Sequence, residues 1–263
     1  MDLGLKSKVA MVAGASMGIG YAIAEALAAE GARVVLASRN EERIQGAARR
    51  IRETTGGEAW GLVLDVRDPD AGTRFVQAAR DAFGPPLILV TNAGGPPPGS
   101  FARFDIQDFE EAVRLNFLSA VRLTKAALPD MQAARWGRIV HITSSTVPEP
   151  AVGLFLSSAV RPAVAGFSKA LATEVARDGI TVNMVCPGLI ATDRLQELAK
   201  HRAQESGLTA EEEFETLGRA VPLGRIGAPK ELAAVVAFLC SEPAAYVTGT
   251  ALRVDGGKVA SLL

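Results

Sequence analysis

The chain has 263 residues, 48% of them hydrophobic and 22% charged, which gives ample apolar surface for one large core and excludes intrinsic disorder. Lys plus Arg total 28 against 29 Asp plus Glu, a net charge of −1, and no basic cluster interrupts the mixture, so nucleic acid or an anionic membrane gains no electrostatic support as a partner. Cys186 and Cys240 stand far apart without companion histidines, so neither a disulfide framework nor a metal site is expected. The first residues lack a basic segment followed by a long apolar one, and no apolar run approaches the roughly 20 residues that span a bilayer. A cytoplasmic protein with a small neutral or anionic ligand is the expectation.

Short aliphatic or β-branched runs alternate with Ala-rich helical patterns from end to end, the βαβ rhythm of a parallel sheet covered on both faces. Strands are predicted at 8–13, 33–38, 58–64, 87–91, 138–143, 180–186 and 250–254. The expected fold is therefore a single-domain α/β, Rossmann-like, doubly wound parallel sheet of seven strands, one domain over 1–263. After the first strand comes Gly14-Ala15-Ser16-Met17-Gly18-Ile19-Gly20. Ile19, Ala22, Ile23, Ala26 and Leu27 then recur at helical spacing to Glu30, and Gly31 sits where a helix cap belongs. Glycines in such a turn let backbone amides approach a phosphate, and the helix aims its positive end at the same place. The spacing is G-x-x-x-G-x-G and not the commoner G-x-G-x-x-G.

The second strand ends on Ser38, followed by Arg39. An acidic residue there reads a ribose 2′-hydroxyl, whereas a cation suits a 2′-phosphate. The position therefore predicts NADP(H), with NAD(H) left open because Glu41 and Glu42 stand close by. After the fourth strand, Gly94-Gly95-Pro96-Pro97-Pro98-Gly99 forms a rigid loop without regular structure. A charged excursion over about 192–224 is longer than a connection requires and is expected to cover a site.

Several motifs in order resemble the short-chain dehydrogenase/reductase family over essentially the whole chain, in its 3-oxoacyl-(acyl-carrier-protein) reductase-like branch. They are the glycine-rich turn, Asp65-Val66, Asn92-Ala93-Gly94, Leu115-Asn116, Ile142-Thr143-Ser144-Ser145, Asn183-Met184-Val185-Cys186-Pro187-Gly188, Val247-Thr248-Gly249 and Val254-Asp255-Gly256-Gly257. The resemblance implies a dinucleotide bordered by Gly14, Ser16, Met17, Gly18, Ile19, Gly20, Ser38, Arg39, Asp65, Val66, Asn92, Ala93, Gly94, Pro187, Gly188 and Ile190. It places Asn116 and Ser144 in the catalytic set and implies a small carbonyl or alcohol substrate. It also implies a homodimer or homotetramer, because the helices carrying Phe117, Leu118, Val121 and Leu123, and Val164, Phe167 and Leu171, are apolar on more than one face.

One departure bears on the chemistry. The family's Tyr-x-x-x-Lys belongs 13 residues beyond Ser144, where this chain has Ser157-Ser158-Ala159-Val160-Arg161. Ala163, Gly166, Leu171 and the Gly179–Asn183 run hold the register from the far side. The tyrosines, Tyr21 and Tyr246, fall in the first helix and near the C-terminus. Serine is a far weaker acid than a phenol of pKa about 10, and an arginine with a pKa above about 12 relays no proton. The catalytic candidates are thus Asn116, Ser144, Ser157 and Arg161, suited to stabilising an oxyanion. Three readings follow: a reductase with altered acid chemistry and a water near Asn116 as proton source, a cofactor-binding pseudoenzyme, sensor or partner subunit, or a lyase or isomerase reusing the nicotinamide site.

Other residues have structural readings. His141 is expected as a packed, hydrogen-bonded core imidazole, His201 as part of a solvated helix face, Cys186 as a small buried filler, and Ser145 and Ser158 as structural neighbours of the site.

Overall fold

The computed structural model describes residues 1–261, leaving out the side chains of His201, Arg202, Gln204 and Glu205. All seven predicted strands are present: β1 (Val9–Ala13), β2 (Arg33–Ser38), β3 (Ala59–Val63), β4 (Ile88–Thr91), β5 (Gly137–Ile142), β6 (Ile180–Pro187) and β7 (Ala251–Val254). They pair in the order β3-β2-β1-β4-β5-β6-β7, and every ladder is parallel. The aliphatic runs arise from this placement. All five residues of β1 and all four of β4 are buried, because helices cover both faces of a parallel sheet.

The covering helices are α1 (Gly18–Ala29), α2 (Glu41–Thr55), α3 (Ala71–Ala82), α4 (Ile106–Ala112), α5 (Ser119–Ala134), α6 (Phe155–Val175), α7 (Asp193–Ser206), α8 (Ala210–Arg219) and α9 (Pro229–Leu239). One core layer packs α1, α2 and α9 on the sheet through Ile23, Leu27, Ile44, Ile51, Leu232 and Val236. The other packs α3, α5 and α6 through Phe75, Val76, Leu123, Met131, Leu171 and Val175. Helix α1 ends as its sequence signals, with Gly31 at φ +82° and its N–H on Ala28 O at 3.0 Å.

Between α4 and α5 the helix widens into a π turn, Val113–Leu118. Such turns are rare and concentrate at functional sites; this one carries Asn116. The excursion after β6 folds as α7 and α8, started by Thr192 and Thr209, whose hydroxyls accept from Leu195 N and Glu212 N. The two helices share an apolar cluster of Leu195, Ala199 and Leu217 with Leu189, Phe214 and Ile226, which its charged sequence conceals. Of the apolar residues on the helices expected to pair, Leu123 and Leu171 pack in the core layer on the sheet, and Val164 is buried within the protomer. Among the described residues, no helix is long and apolar enough to cross a membrane, and no cluster of metal-ligating side chains occurs.

Candidate active site

The strand order reverses between β1 and β4, and parallel sheets open a crevice at that switch point beyond the carboxyl ends of their strands. The glycine-rich turn lies there. Gly14 and Gly18 adopt φ of +60° and +58°, the left-handed region that L side chains avoid. A Cβ on Gly14 would meet Asn92 O at 2.7 Å, and one on Gly20 would meet Gly14 O at 2.3 Å. Asn92 Nδ2 donates to Gly14 O at 3.1 Å, so β4 holds the turn closed. No side chain caps the start of α1, and no acidic residue lies in its first turn. The orphan N–H groups of a helix start are therefore left for an anion.

Farther along the crevice, Ser38 Oγ is buried without a partner at the end of β2, and Arg39 beside it is exposed. Arg43, which the sequence reading passed over, reaches the same corner and places Nη1 3.8 Å from Met17 Sδ. Asp65 is held by Arg67, with Nη2 to Oδ2 at 2.6 Å, and that pairing keeps its carboxyl below the usual range. Pro187 ends β6, Gly188 N donates to Val254 O at 3.0 Å, and a Cβ on Gly188 would meet Asp255 Cα at 2.6 Å. Ile190 is buried in the core. A glycine cradle at an uncapped helix start, an orphaned hydroxyl and two nearby arginines fit a phosphorylated dinucleotide.

The catalytic candidates converge at the carboxyl end of β5. Ser157 Oγ lies 3.0 Å from Thr146 Oγ1, and Thr146 N donates to Ser144 Oγ at 3.1 Å. Ser144 and Ser157 are thus joined through Thr146, a residue that no motif singles out. Arg161, on the same side of α6 as Ser157, is buried, with Nη1 donating to Thr143 O at 2.6 Å. Its Nε has no partner. Burial first, and then the charge of Arg194, push its pKa down to about 10, below the value above 12 expected from sequence, yet the group stays cationic at neutral pH. Asn116 donates Nδ2 to Ala112 O at 3.3 Å and leaves Oδ1 buried and unpaired. Asn116 and Arg161 line one small cavity of about 10 Å³ together with Thr91, Ala93 and Thr143, which is about the room a single water needs.

The second cation, Arg194 in the first turn of α7, spans the loop after β4, with Nη1 on Gly95 O at 2.8 Å and Nη2 on Pro96 O at 2.9 Å. A cation at a helix start opposes the helix dipole, and that local violation is the signal by which sequence could have found it. Neither tyrosine reaches the site: Tyr21 donates to Glu25 at 3.0 Å within α1, and Tyr246 is fully exposed. His141 is a core imidazole, Nδ1 2.7 Å from Thr91 Oγ1, and burial lowers its pKa to about 4. Cys186 is buried 3.2 Å from Thr143 Oγ1, with its pKa raised by burial. The side chain of His201 lies outside the described residues. A larger groove of about 910 Å³ at the β3 edge, lined by Trp60, Leu62 and Phe83, contains none of the expected site residues.

Residues 14–258 match the family described as enoyl-(acyl carrier protein) reductase. The 3-oxoacyl-(acyl-carrier-protein) reductase FabG of Escherichia coli is 39% identical over 255 residues, 97% of this chain and 98% of the relative. The structure of L-sorbose reductase from Gluconobacter frateurii complexed with NADPH and L-sorbose superposes with a TM-score of 0.95 at 36% identity, covering 100% of both chains. An actinorhodin polyketide ketoreductase variant with NADPH gives 0.92 at 38%, covering 97% and 98%. With its fold, its glycine turn and its full-length relatives all in agreement, the chain belongs to the short-chain dehydrogenase/reductase family.

Proposed function

We propose that the protein is an NADP(H)-dependent oxidoreductase of a small carbonyl or alcohol substrate, 3-oxoacyl reductase-like, whose acid chemistry does not run through a tyrosine. The glycine turn and the start of α1 would hold the pyrophosphate, Ser38 and Arg39 the adenosine ribose and its phosphate, and Asn92–Gly94 with Pro187–Ile190 the nicotinamide end. The nicotinamide supplies or accepts the hydride. Support for NADP(H) comes from the absence of an acidic residue at the end of β2 and from the NADPH held by two related structures.

The observation that carries the reductase reading is Arg161: a buried guanidinium with an unpaired Nε beside the unpaired Oδ1 of Asn116. Arg161 is placed to donate to an oxygen on which negative charge develops, an arrangement worth several kcal/mol when the donors are held in advance. It keeps its own proton. Asn116 Oδ1 and Arg161 Nε are an acceptor and a donor for one water in the cavity that both residues line; that water gives its proton to the substrate oxygen, and the hydroxide left behind takes one back from solvent. Ser157 and Ser144, tied through Thr146, orient the substrate oxygen.

A second reading has its own observation. Ser157 Oγ is paired with Thr146 and Arg161 Nη1 with Thr143 O, as in a site that binds nucleotide without turning it over. Steady-state oxidation of NADPH against a carbonyl panel separates the two: turnover lost in Arg161→Ala supports the reductase, and nucleotide binding without turnover on any substrate supports the binding protein. Subunits are proposed to pair through the remaining faces of α5 and α6, where half-buried Phe117 and Phe167 meet edge-on at 6.2 Å. Light scattering that returns the monomer mass would exclude that pairing.

A further inference from the structure

Thr91 and His141 are buried polar side chains, 6% and 0% exposed, to which the chemistry above gives no part. They are register partners on β4 and β5, so their side chains stand together on one face of the sheet, with His141 Nδ1 2.7 Å from Thr91 Oγ1. Side chains alternate along a strand. Leu89, two residues before Thr91, packs in the layer of α5 and α6, so Thr91 points into that layer too. There it lines the cavity of about 10 Å³ that Asn116 and Arg161 also line, room for one water. Two atoms on that space, Asn116 Oδ1 and Arg161 Nε, have no partner. The hydroxyls of Ser119 and Thr143, which line it as well, already donate to Leu115 O and Val185 O.

His141 Nε2 is buried and without a partner among the described residues; Phe167, with its ring centre 5.8 Å from that of the imidazole, offers it no lone pair. The neutral ring carries one proton, on Nδ1 or on Nε2. A proton on Nε2 buries an orphan N–H, whereas a proton on Nδ1 leaves only a bare lone pair, and buried orphan N–H groups are the rarer of the two. The Nδ1–H tautomer therefore suits this pocket. In it Thr91 Oγ1 accepts from the imidazole, and the threonine O–H is left to donate into the cavity.

A water has two hydrogens and two lone pairs. Arg161 Nε–H and Thr91 O–H fill the lone pairs, Asn116 Oδ1 takes one hydrogen, and the other is left for the substrate oxygen. With the proton on Nε2 instead, Thr91 donates to His141 and can only accept in the cavity. Asn116 and Thr91 then take both hydrogens, and the water has none to give.

We propose that Thr91 is a catalytic hydroxyl that donates to the proton-giving water, and that His141 is the positioning residue that fixes the direction of this hydrogen bond. As hydride reaches the carbonyl carbon, the π electron pair of the C=O bond moves to oxygen and takes the water's free proton. The hydroxide, held by the Arg161 and Thr91 donors, is reprotonated from solvent. The proton-giving role rests on the reductase reading; the direction of the hydrogen bond rests on the ring and the cavity alone.

Nitrogen-15 NMR of the unaltered chain at neutral pH reads the tautomer without substrate, and His201→Gln, which removes the other of the two histidines, assigns the signals. A protonated Nδ1 and a bare Nε2 are expected; the opposite tautomer overturns the proposal. A crystal structure is expected to place a water within hydrogen-bond distance of Thr91 Oγ1, Asn116 Oδ1 and Arg161 Nε, and a water that does not reach Thr91 overturns it as well. Kinetics use the carbonyl that the unaltered chain reduces fastest. Thr91→Val, similar in shape, is expected to lower kcat by about tenfold or more, part of what a positioned proton donor contributes, with KM and NADPH affinity kept, the mark of an interaction made in the transition state. Thr91→Ser is expected to retain most of kcat, and His141→Phe to fall between the two. Full kcat in Thr91→Val, or an equal loss in Thr91→Ser, makes the threonine structural and overturns its role. If the tautomer and the water are as expected and no carbonyl is reduced by the unaltered chain, the reductase reading is what fails, and the proton-giving role falls with it.

Discussion

The crevice has two ends built on different principles. The β1–α1 end makes its contacts from backbone: glycines at positive φ, an uncapped helix start and the Asn92 tie. The β5–α6 end makes them from side chains, and there Ser157 and Arg161 stand where the related family pattern has Tyr and Lys. A backbone site tolerates no change of shape but is indifferent to most side chains. A side-chain site can exchange its groups while the register of β5 and α6 stays fixed, so the fold sets no bar to the altered chemistry proposed for Ser157 and Arg161.

The largest expected effect tests the side-chain end. Arg161→Ala should lower turnover of the true substrate by about 10²–10³-fold, the loss that follows removal of one oxyanion donor, with NADPH affinity kept; activity within threefold of the unaltered protein would sink the rewired site. Ser157→Ala should cost only a few-fold, since Thr146 retains a hydroxyl nearby. Replacing both, Ser157→Tyr with Arg161→Lys, should raise reduction of an ordinary neutral ketone. Next comes the backbone end. Gly20→Val drives carbon into Gly14 O and Asn92 Nδ2 and should cut NADPH affinity by about 10²-fold through strain of about 1–3 kcal/mol and loss of the cradle, read by fluorescence titration. An equal loss in Arg161→Ala would dissolve the distinction between the two ends.

A smaller effect concerns pH. His141 is fully buried, and its pKa falls from the ordinary 6.5 to about 4 because burial disfavours the charged form. Below pH 6.5 the unfolded chain binds a proton that the folded chain refuses, so stability is complete above that pH and declines as pH falls toward 4, by about 3 kcal/mol in all. Urea melts of His141→Gln should show a flatter acid limb than the unaltered protein; parallel limbs would refute the assignment. In nucleotide affinity the smaller loss is that of Arg39→Ala, expected to weaken NADPH by roughly tenfold, the worth of one charge-assisted contact, and to leave NADH unchanged in the same titration.

The parts legible in the sequence are those with a local cause. Strands buried on both faces must be aliphatic throughout, and the glycine turn follows from its dihedrals. What escaped depends on which surfaces meet. Leu171 reads as apolar, but only the packed structure shows that its partner is the chain's own sheet. Thr146 becomes a link because the turn after β5 brings it 3.0 Å from Ser157. Helices α7 and α8 hide their apolar seam among charges, and Arg194 acquires its meaning from loop carbonyls 98 and 99 positions away in the sequence.

The π turn at Val113–Leu118 also sets a limit on how this chain can change. Each added residue in a helix rotates everything after it by about 100°, and here the rotation is absorbed locally, so that Asn116 and the sheet-facing side of α5 are in phase together. Deleting Val113 would restore ordinary helical winding and make the segment more regular. The same deletion would turn Asn116 away from its cavity or slide α5 off the sheet. Length, and not only residue identity, is therefore under constraint in this helix: a shortened chain could be the better helix former and still lose the placement of Asn116.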